Sequence, residues 1–158
     1  MGLKMLSKLA AAVAVAGLLA TEAGAADPKS EADKIAETFL KAGSKLFDAK
    51  DAAGLAATYT EDGQILLVSK KDGQIQNEVR EGRAKIEELY DSVFQVVDEP
   101  DSENTIAHSR LISPEVLVVQ GHFRAKPGMA ELPFVQLRVK QGDRWLLSKL
   151  WLFLNPEP

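Results

Sequence analysis

The stretch LPFVQLRVKQGDRWLLSKLWLFLN, from Leu132 to Asn155, decides the fold. Two runs rich in apolar residues flank the turn sequence Gln141-Gly142-Asp143, and the second run contains both tryptophans, Trp145 and Trp151. This pattern predicts a β-hairpin with long strands. Because an isolated hairpin is at best marginally stable in water, the rest of the chain must cover at least one of its faces.

The first 25 residues have the organisation of a secretory signal. Lys4 and Lys8 form a positive start, residues 9–20 are a short apolar run, and Ala23-Gly24-Ala25 supplies small residues for cleavage. The run is shorter than a membrane span requires, although an uncleaved amphipathic or membrane helix is the alternative. We therefore expect a signal peptide at 1–25 and a single secreted or periplasmic domain at 26–158, with no membrane association after cleavage.

Composition restricts the partners and the chemistry. The formal net charge of −4 argues against a nucleic-acid partner, because phosphate binding needs a concentrated basic footprint. The chain has no cysteine, which excludes disulfides and thiol catalysis. Two histidines without cysteine do not predict a metal site, and no glycine-rich phosphate loop is present, so no cofactor is expected.

The rest of the chain predicts an α+β fold. Apolar residues recur at helical spacing over residues 31–49, 52–59 and again after Gly82. Short strands are expected at 64–69, 74–79, 105–112 and 116–124, before the final hairpin, and residues 60–63 should form a turn. Arg83 begins the third helix, where a carboxylate such as Glu61, Asp62 or Glu87 should pair with it. Helices and strands that do not alternate as βαβ units indicate an antiparallel sheet covered by helices.

The run DAKDAAGLAATYTEDGQILLV, followed by EGRAKIEELY, resembles the SnoaL-like branch of the nuclear transport factor 2-like superfamily, including its SgcJ/EcaC-like group. The residues that carry the resemblance are Asp48, Asp51, Leu55, Tyr59, Asp62, Gly63, Gly82, Arg83, Ile86 and the segment Gly142-Asp143-Arg144-Trp145. The resemblance implies a cone-shaped, cystatin-like domain, in which a curved antiparallel sheet and three helices from the N-terminal half enclose a cavity. Members of this superfamily act as isomerases, cyclases, dehydratases or hydrolases, bind ligands, or mediate association, so the fold does not settle the function.

Alternation along the later strands predicts which side chains face the cavity. The apolar set should face the helices: Ala107, Ser109, Leu111, Leu117, Val119, Gly121, Phe123, Val135, Leu137 and Val139. The polar set should then lie outside: His108, Arg110, Gln120, His122, Arg124, Gln136, Arg138 and Lys140. The predicted cavity lining is Phe39, Tyr90, Phe94, Phe123, Leu137 and Trp151.

The final strand is apolar on both faces, and the helices can cover only one of them. We therefore expect a homodimer through the outer sheet face, since a contiguous exposed apolar patch is unusual on a monomer. The alternative is that large residues lie at a partly exposed edge.

A second arrangement of the sheet would create a catalytic or anion-binding site. If bulges turned polar side chains inward, His122, Arg110, Arg138 and Lys149 would converge. The arginines would clamp a carboxylate or phosphate, and His122 would be the acid or base. With Tyr59 to polarise a substrate, the candidate catalytic residues are His122, Tyr59, Arg110 and Arg138, although core packing is the alternative role for Tyr59 and Tyr90.

Comparison with ketosteroid isomerases disfavours their mechanism. Their general-base aspartate would fall near Leu67, and their oxyanion-hole tyrosine near Gly43, so neither chemical group is present. Three functions remain. The domain binds a small, largely apolar molecule, or it is an enzyme that uses His122, or it is an association module with a filled cavity.

Overall fold

A computed structural model describes residues 29–154. The expected signal segment lies outside the described residues, as does the end of the final apolar stretch. Within the described range, no helix is long and apolar enough to cross a membrane.

Within residues 29–154 three helices form, as the apolar periodicity predicts: α1 (Glu31–Asp48), α2 (Ala52–Ala57) and α3 (Arg83–Val96). A capping box begins α1, where the Ser30 hydroxyl accepts from the Asp33 N–H at 3.1 Å and the Asp33 carboxylate accepts from the Ser30 N–H at 3.2 Å. Asp51 caps α2 by accepting from the Gly54 N–H at 2.8 Å. These caps fix where the two helices start.

In the part of the chain that the structure describes, six strands form one curved sheet: β1 (Tyr59–Lys71), β2 (Gln74–Glu81), β3 (Glu103–Ser113), β4 (Val116–Arg124), β5 (Leu132–Gln141) and β6 (Arg144–Phe153). Their order is β2-β1-β6-β5-β4-β3. The predicted α+β class and the final hairpin are confirmed. The sheet is mixed rather than wholly antiparallel, because β1 runs parallel to β6.

The predicted turn at residues 60–63 is wrong. The second helix ends at Ala57, and Tyr59 is already the first residue of β1, so Tyr59 projects from a strand and not from a helix. The register of β1 against β6 shifts between Tyr59 and Gln64, which accommodates the irregular segment within the strand. Arg83 holds this segment in place: its Nε and Nη2 donate to the Tyr59 carbonyl at 2.9 and 2.6 Å, and its Nη1 pairs with Glu61, one of the three expected partners.

Two apolar clusters position the helices over the sheet. The larger one joins α1 and α3 to the inner sheet face and includes Ala36, Ile86, Leu117 and Val119, all fully buried. The smaller one, built on Phe47, Leu55, Val97 and Ala125, closes the end of α1 against α2 and the loop after β4. Polar bonds also tie α1 to β3, with Ser109 Oγ donating to Asp33 at 2.5 Å and Asn104 Nδ2 donating to Ser44 Oγ at 2.9 Å.

Candidate functional site: a cavity with a buried arginine

A cavity of about 370 Å³ lies between the three helices and the inner face of the sheet. Its wall is almost entirely apolar: Phe39, Leu40, Leu55, Ile65, Leu67, Leu89, Val93, Val97, Phe123, Leu132, Phe134, Leu147, Leu150 and Leu152 are among the lining residues. Met129 and Leu154 also line it and are 44% and 38% exposed, so we infer that the cavity reaches solvent beside them. Its volume lies within the range of small-molecule sites.

One end of the cavity is polar because of Arg138 on β5. This side chain is only 5% exposed, and its Nε donates to Gln136 Oε1 at 2.9 Å. Its guanidinium carbon lies 3.6 Å from the centre of the Phe39 ring, a cation–π contact from α1. Within residues 29–154, no aspartate or glutamate forms an ion pair with Arg138. Desolvation therefore lowers the pKa of Arg138 to about 9, against the opposing influence of two nearby tyrosines.

The tyrosines are Tyr59 of β1 and Tyr90 of α3, whose hydroxyl oxygens are 3.0 Å apart. Burial raises the pKa of both phenols, that of Tyr59 most strongly, so both stay protonated at neutral pH. Two hydroxyls that bond to each other use one of their two protons, and the second O–H remains free to donate. Because Arg83 holds the Tyr59 carbonyl, the backbone position of this strand residue is fixed.

The structure brings together five of the side chains predicted for the site. Tyr59 and Arg138, from the candidate catalytic set, line the cavity with Phe39, Tyr90 and Phe123. Phe94, Leu137 and Trp151 do not line it. Phe94 lies behind the wall. Its ring makes an edge contact with the Phe47 ring, with 5.1 Å between the ring centres, and stacks beside the ring of Tyr90.

Leu137 and Trp151 lie on the outer face. The predicted inward orientation of Val135, Leu137 and Val139 on β5 is therefore wrong, and so is the placement of Trp151 in the cavity wall. On β5, the inward side chains are Phe134, Gln136 and Arg138, opposite the buried Gly121, Val119 and Leu117 of β4. On β6, a bulge at Ser148 breaks the alternation, since Arg138 pairs with Leu147 and Leu137 pairs with Lys149. Inward positions are therefore Leu147, Leu150 and Leu152, and Trp151 is turned out.

A second bulge changes β3. The register against β4 shifts between Ile106 and His108, so Ile106 packs on the core, and Ala107 is exposed although it was expected to face inward. Beyond the bulge, Ser109 and Leu111 have the expected inward orientation.

His122 and Arg110 are exposed and lie outside the cavity. His122 lies in a shallow surface groove with Thr105 and Arg124, where Arg124 pairs with Glu103 and Glu131. Lys149 shares the outer face with Leu137. The fold therefore does not bring His122, Arg110 and Lys149 to the cavity. Of the four residues in the predicted anion-binding cluster, only Arg138 points inward.

Comparison with known proteins establishes the fold. No family model and no curated protein matches the chain. Among solved structures, a domain of unknown function with a cystatin-like fold from Nostoc punctiforme has a TM-score of 0.62 at 14% identity, covering 82% of this chain and 81% of that one. A nuclear transport factor 2-like protein with a cystatin-like fold from Novosphingobium aromaticivorans has a TM-score of 0.58 at 16% identity, covering 78% and 82%. This chain has the nuclear transport factor 2-like fold.

A ketosteroid isomerase-like protein from Erwinia carotovora shares this nuclear transport factor 2-like fold, with a TM-score of 0.55 at 21% identity, covering 81% of this chain and all of that one. The two positions compared above with ketosteroid isomerases, Leu67 and Gly43, both line the cavity here. Neither brings a carboxyl or hydroxyl group to it. The fold expected from the sequence is confirmed, and membership of the SnoaL-like branch stays a prediction.

Sequence reasoning missed Gln136 as a member of the site. Its amide orients Arg138, and it is only 7% exposed on the inner face. The signal was present in the alternation Gln136-Leu137-Arg138, but the alternation alone does not say which face is inside. Within residues 29–154, no group of three or more histidine, aspartate or glutamate side chains could hold a metal ion.

Proposed function

We propose that this domain binds a small, largely apolar molecule in its cavity. The observation that carries the proposal is an unfilled space of about 370 Å³ whose wall is made of leucine, valine and phenylalanine side chains. Protein interiors are otherwise close-packed, and each cubic ångström of empty apolar volume costs stability. A ligand of matching shape would recover that loss. Because the expected signal at residues 1–25 directs export, we propose that the domain is secreted or periplasmic and binds its ligand there.

Two observations favour binding over the other functions. The side chains that line the cavity within the described range include hydrogen-bond donors but no carboxylate or imidazole that would accept a proton at neutral pH. Catalysis by His122 would need a side chain that the fold places outside. An association module with a filled cavity would not leave several hundred cubic ångströms open.

The binding proposal predicts that filling the cavity abolishes uptake of an apolar dye. Leu152→Trp adds an indole to the inner face of β6, where Leu152 lines the cavity. We expect the wild-type protein to bind neutral Nile red at one dye per chain with a rise in fluorescence, and the variant to lose that signal. The matched control is Ile75→Trp on β2, where the side chain is 73% exposed.

Circular dichroism of both tryptophan variants establishes that they fold. A dye signal that is absent from the wild type, or equally strong in the folded Leu152→Trp protein, would refute the proposal. Dye lost from both variants would place its site elsewhere.

We also propose that two copies associate through the outer sheet face. Adjacent strands place apolar side chains together there, with Val118 paired to Leu137 and Val135 paired to Trp151. A second identical face would bury them. Light scattering at micromolar concentration should give twice the mass of one chain, and Leu137→Arg should give a monomer, because burying an unpaired charge is costly. Ile75→Arg is the control that should leave the mass unchanged, and a monomeric wild type would contradict the proposal.

A further inference from the structure

Among the described residues, the polar end of the cavity presents hydrogen-bond donors and one positive charge but no carboxylate. Arg138 uses its Nε for Gln136 Oε1, and neither of its Nη atoms donates to any residue in the described part of the chain. The amide nitrogen of Gln136 and the free hydroxyl proton of the Tyr59–Tyr90 pair add two more donors. The group that completes this end must therefore accept hydrogen bonds.

We propose that the ligand is an amphipathic carboxylic acid, with its carboxylate on the Arg138 guanidinium and its apolar chain extending toward Met129 and Leu154. The inference rests on the proposed function, that the cavity binds a small molecule, and it names the class of that molecule.

The buried charge selects an anion over a neutral acceptor. A cation removed from water without a partner is strongly destabilising, and the Phe39 ring offsets only part of that cost. A planar carboxylate matches the two Nη donors in a bidentate pair, which is stronger and more directional than a bond to a neutral carbonyl. Since Arg138 is the one cation among the described residues that line the cavity, the site suits a group with one negative charge.

The position of Arg138 along β5 requires the rest of the ligand to be apolar and extended. Leu132, at the other end of the same strand, also lines the cavity, and the six residue steps from Leu132 to Arg138 span roughly 20 Å at the usual rise of a strand. The inner face between them carries Phe134 and Gln136, and the neighbouring strand carries Leu150 and Leu152. Met129 precedes Leu132 by three residues, and Leu154 follows Leu152, which pairs with Phe134, so both exposed lining residues belong to the Leu132 end. We infer that the charged group lies at the closed end.

Calorimetric titration with three probes of equal chain length tests the inference: decanoate, methyl decanoate and decan-1-ol, each below the concentration at which it aggregates. We expect the wild type to bind decanoate at least about 30-fold more tightly than either neutral probe, as for a buried charge pair. Arg138→Met should lose that preference while it still binds the neutral probes. Arg144→Met, which removes an exposed arginine at the start of β6, should behave as wild type.

The outcomes separate the two proposals. If methyl decanoate and decan-1-ol bind the wild type as tightly as decanoate does, the anion inference is overturned and the apolar cavity site stands. If no probe binds the wild type, both are overturned. Decanoate that binds folded Arg138→Met with unchanged affinity would also overturn the inference, because the carboxylate would then be held elsewhere.

Discussion

Gly121→Ala is expected to destabilise the domain by about 3 kcal/mol or more, which is a large fraction of the stability of a small protein. A β-carbon at Gly121 would lie 2.0 Å from the Thr105 carbonyl oxygen and 3.0 Å from the Phe134 ring. The oxygen belongs to the backbone of β3, which pairs with β4 at this point and cannot turn away as a flexible side chain can. Alanine must therefore push β3 off β4 and displace Phe134, a wall of the cavity.

The control is the same substitution at Gly43. This residue lies within α1, and a β-carbon there would meet no atom within 4 Å. Gly43→Ala should stabilise the domain by about 0.5–1 kcal/mol, because alanine loses less backbone entropy in a helix. Urea denaturation of both variants gives the free energies of unfolding. A Gly121→Ala protein as stable as wild type would show that the two strands do not approach this closely.

The elements of the fold could be predicted from local sequence. Helix periodicity, the cap at Ser30, and the hairpin around Gly142 are encoded within a few residues of each other. The parallel pairing of β1 with β6 could not be predicted in this way, because the two strands are far apart in the chain. Their side chains meet only in the core of the folded domain. The start of β1 at Tyr59 could not be predicted either, because it depends on residues far away in the chain. Thr60 and Gly63 have turn propensity, and contacts from Arg83 and β6 override it.

The cavity was predicted in part, and the errors have two physical causes. Alternation divides a strand into two faces, but the assumption that the polar face is wet fails on β5, where the buried polar pair Gln136 and Arg138 belongs to the site. The bulge at Ser148 is the second cause: an extra residue reverses the faces beyond it, and nothing in the run Leu147-Ser148-Lys149 marks its position. Trp151 was assigned to the wrong face for that reason.

Arg138→Met is expected to raise the stability of the ligand-free protein by about 1–4 kcal/mol at pH 7, as when other buried ionic groups are replaced by apolar side chains. Methionine keeps an unbranched chain of similar shape, and its sulfur can contact the Phe39 ring in place of the cation. It also removes a charge that lacks a carboxylate partner in the described structure. The measurement is the free energy of unfolding in urea, with Arg144→Met as the exposed control, which should change little.

The pH dependence of this gain identifies its cause. The pKa of Arg138 is about 9 in the folded protein, well below the usual value of an arginine. Below pH 9 both the folded and the unfolded chain therefore carry the charge, and the folded state bears the full cost of burying it. As the pH rises above 9, the folded protein loses this proton while the unfolded chain keeps it, and the wild type recovers stability. The advantage of Arg138→Met should therefore be largest at pH 7 and smaller at pH 10. The raised pKa of Tyr59 and Tyr90 makes stability fall above pH 10. The wild type and Arg138→Met both contain these tyrosines, so the difference in stability between the two proteins is less affected by them.

Arg138 could serve packing or ligand binding. An Arg138→Met protein that is more stable but no longer distinguishes a carboxylate from its ester would show that the role is binding. A residue retained for packing loses stability when it is replaced, whereas a residue retained for binding commonly costs stability in the free protein. A destabilised Arg138→Met protein at pH 7 would show that the guanidinium already has a compensating partner in the folded chain. In that case the cavity would need no anion, and a neutral apolar ligand would fill it.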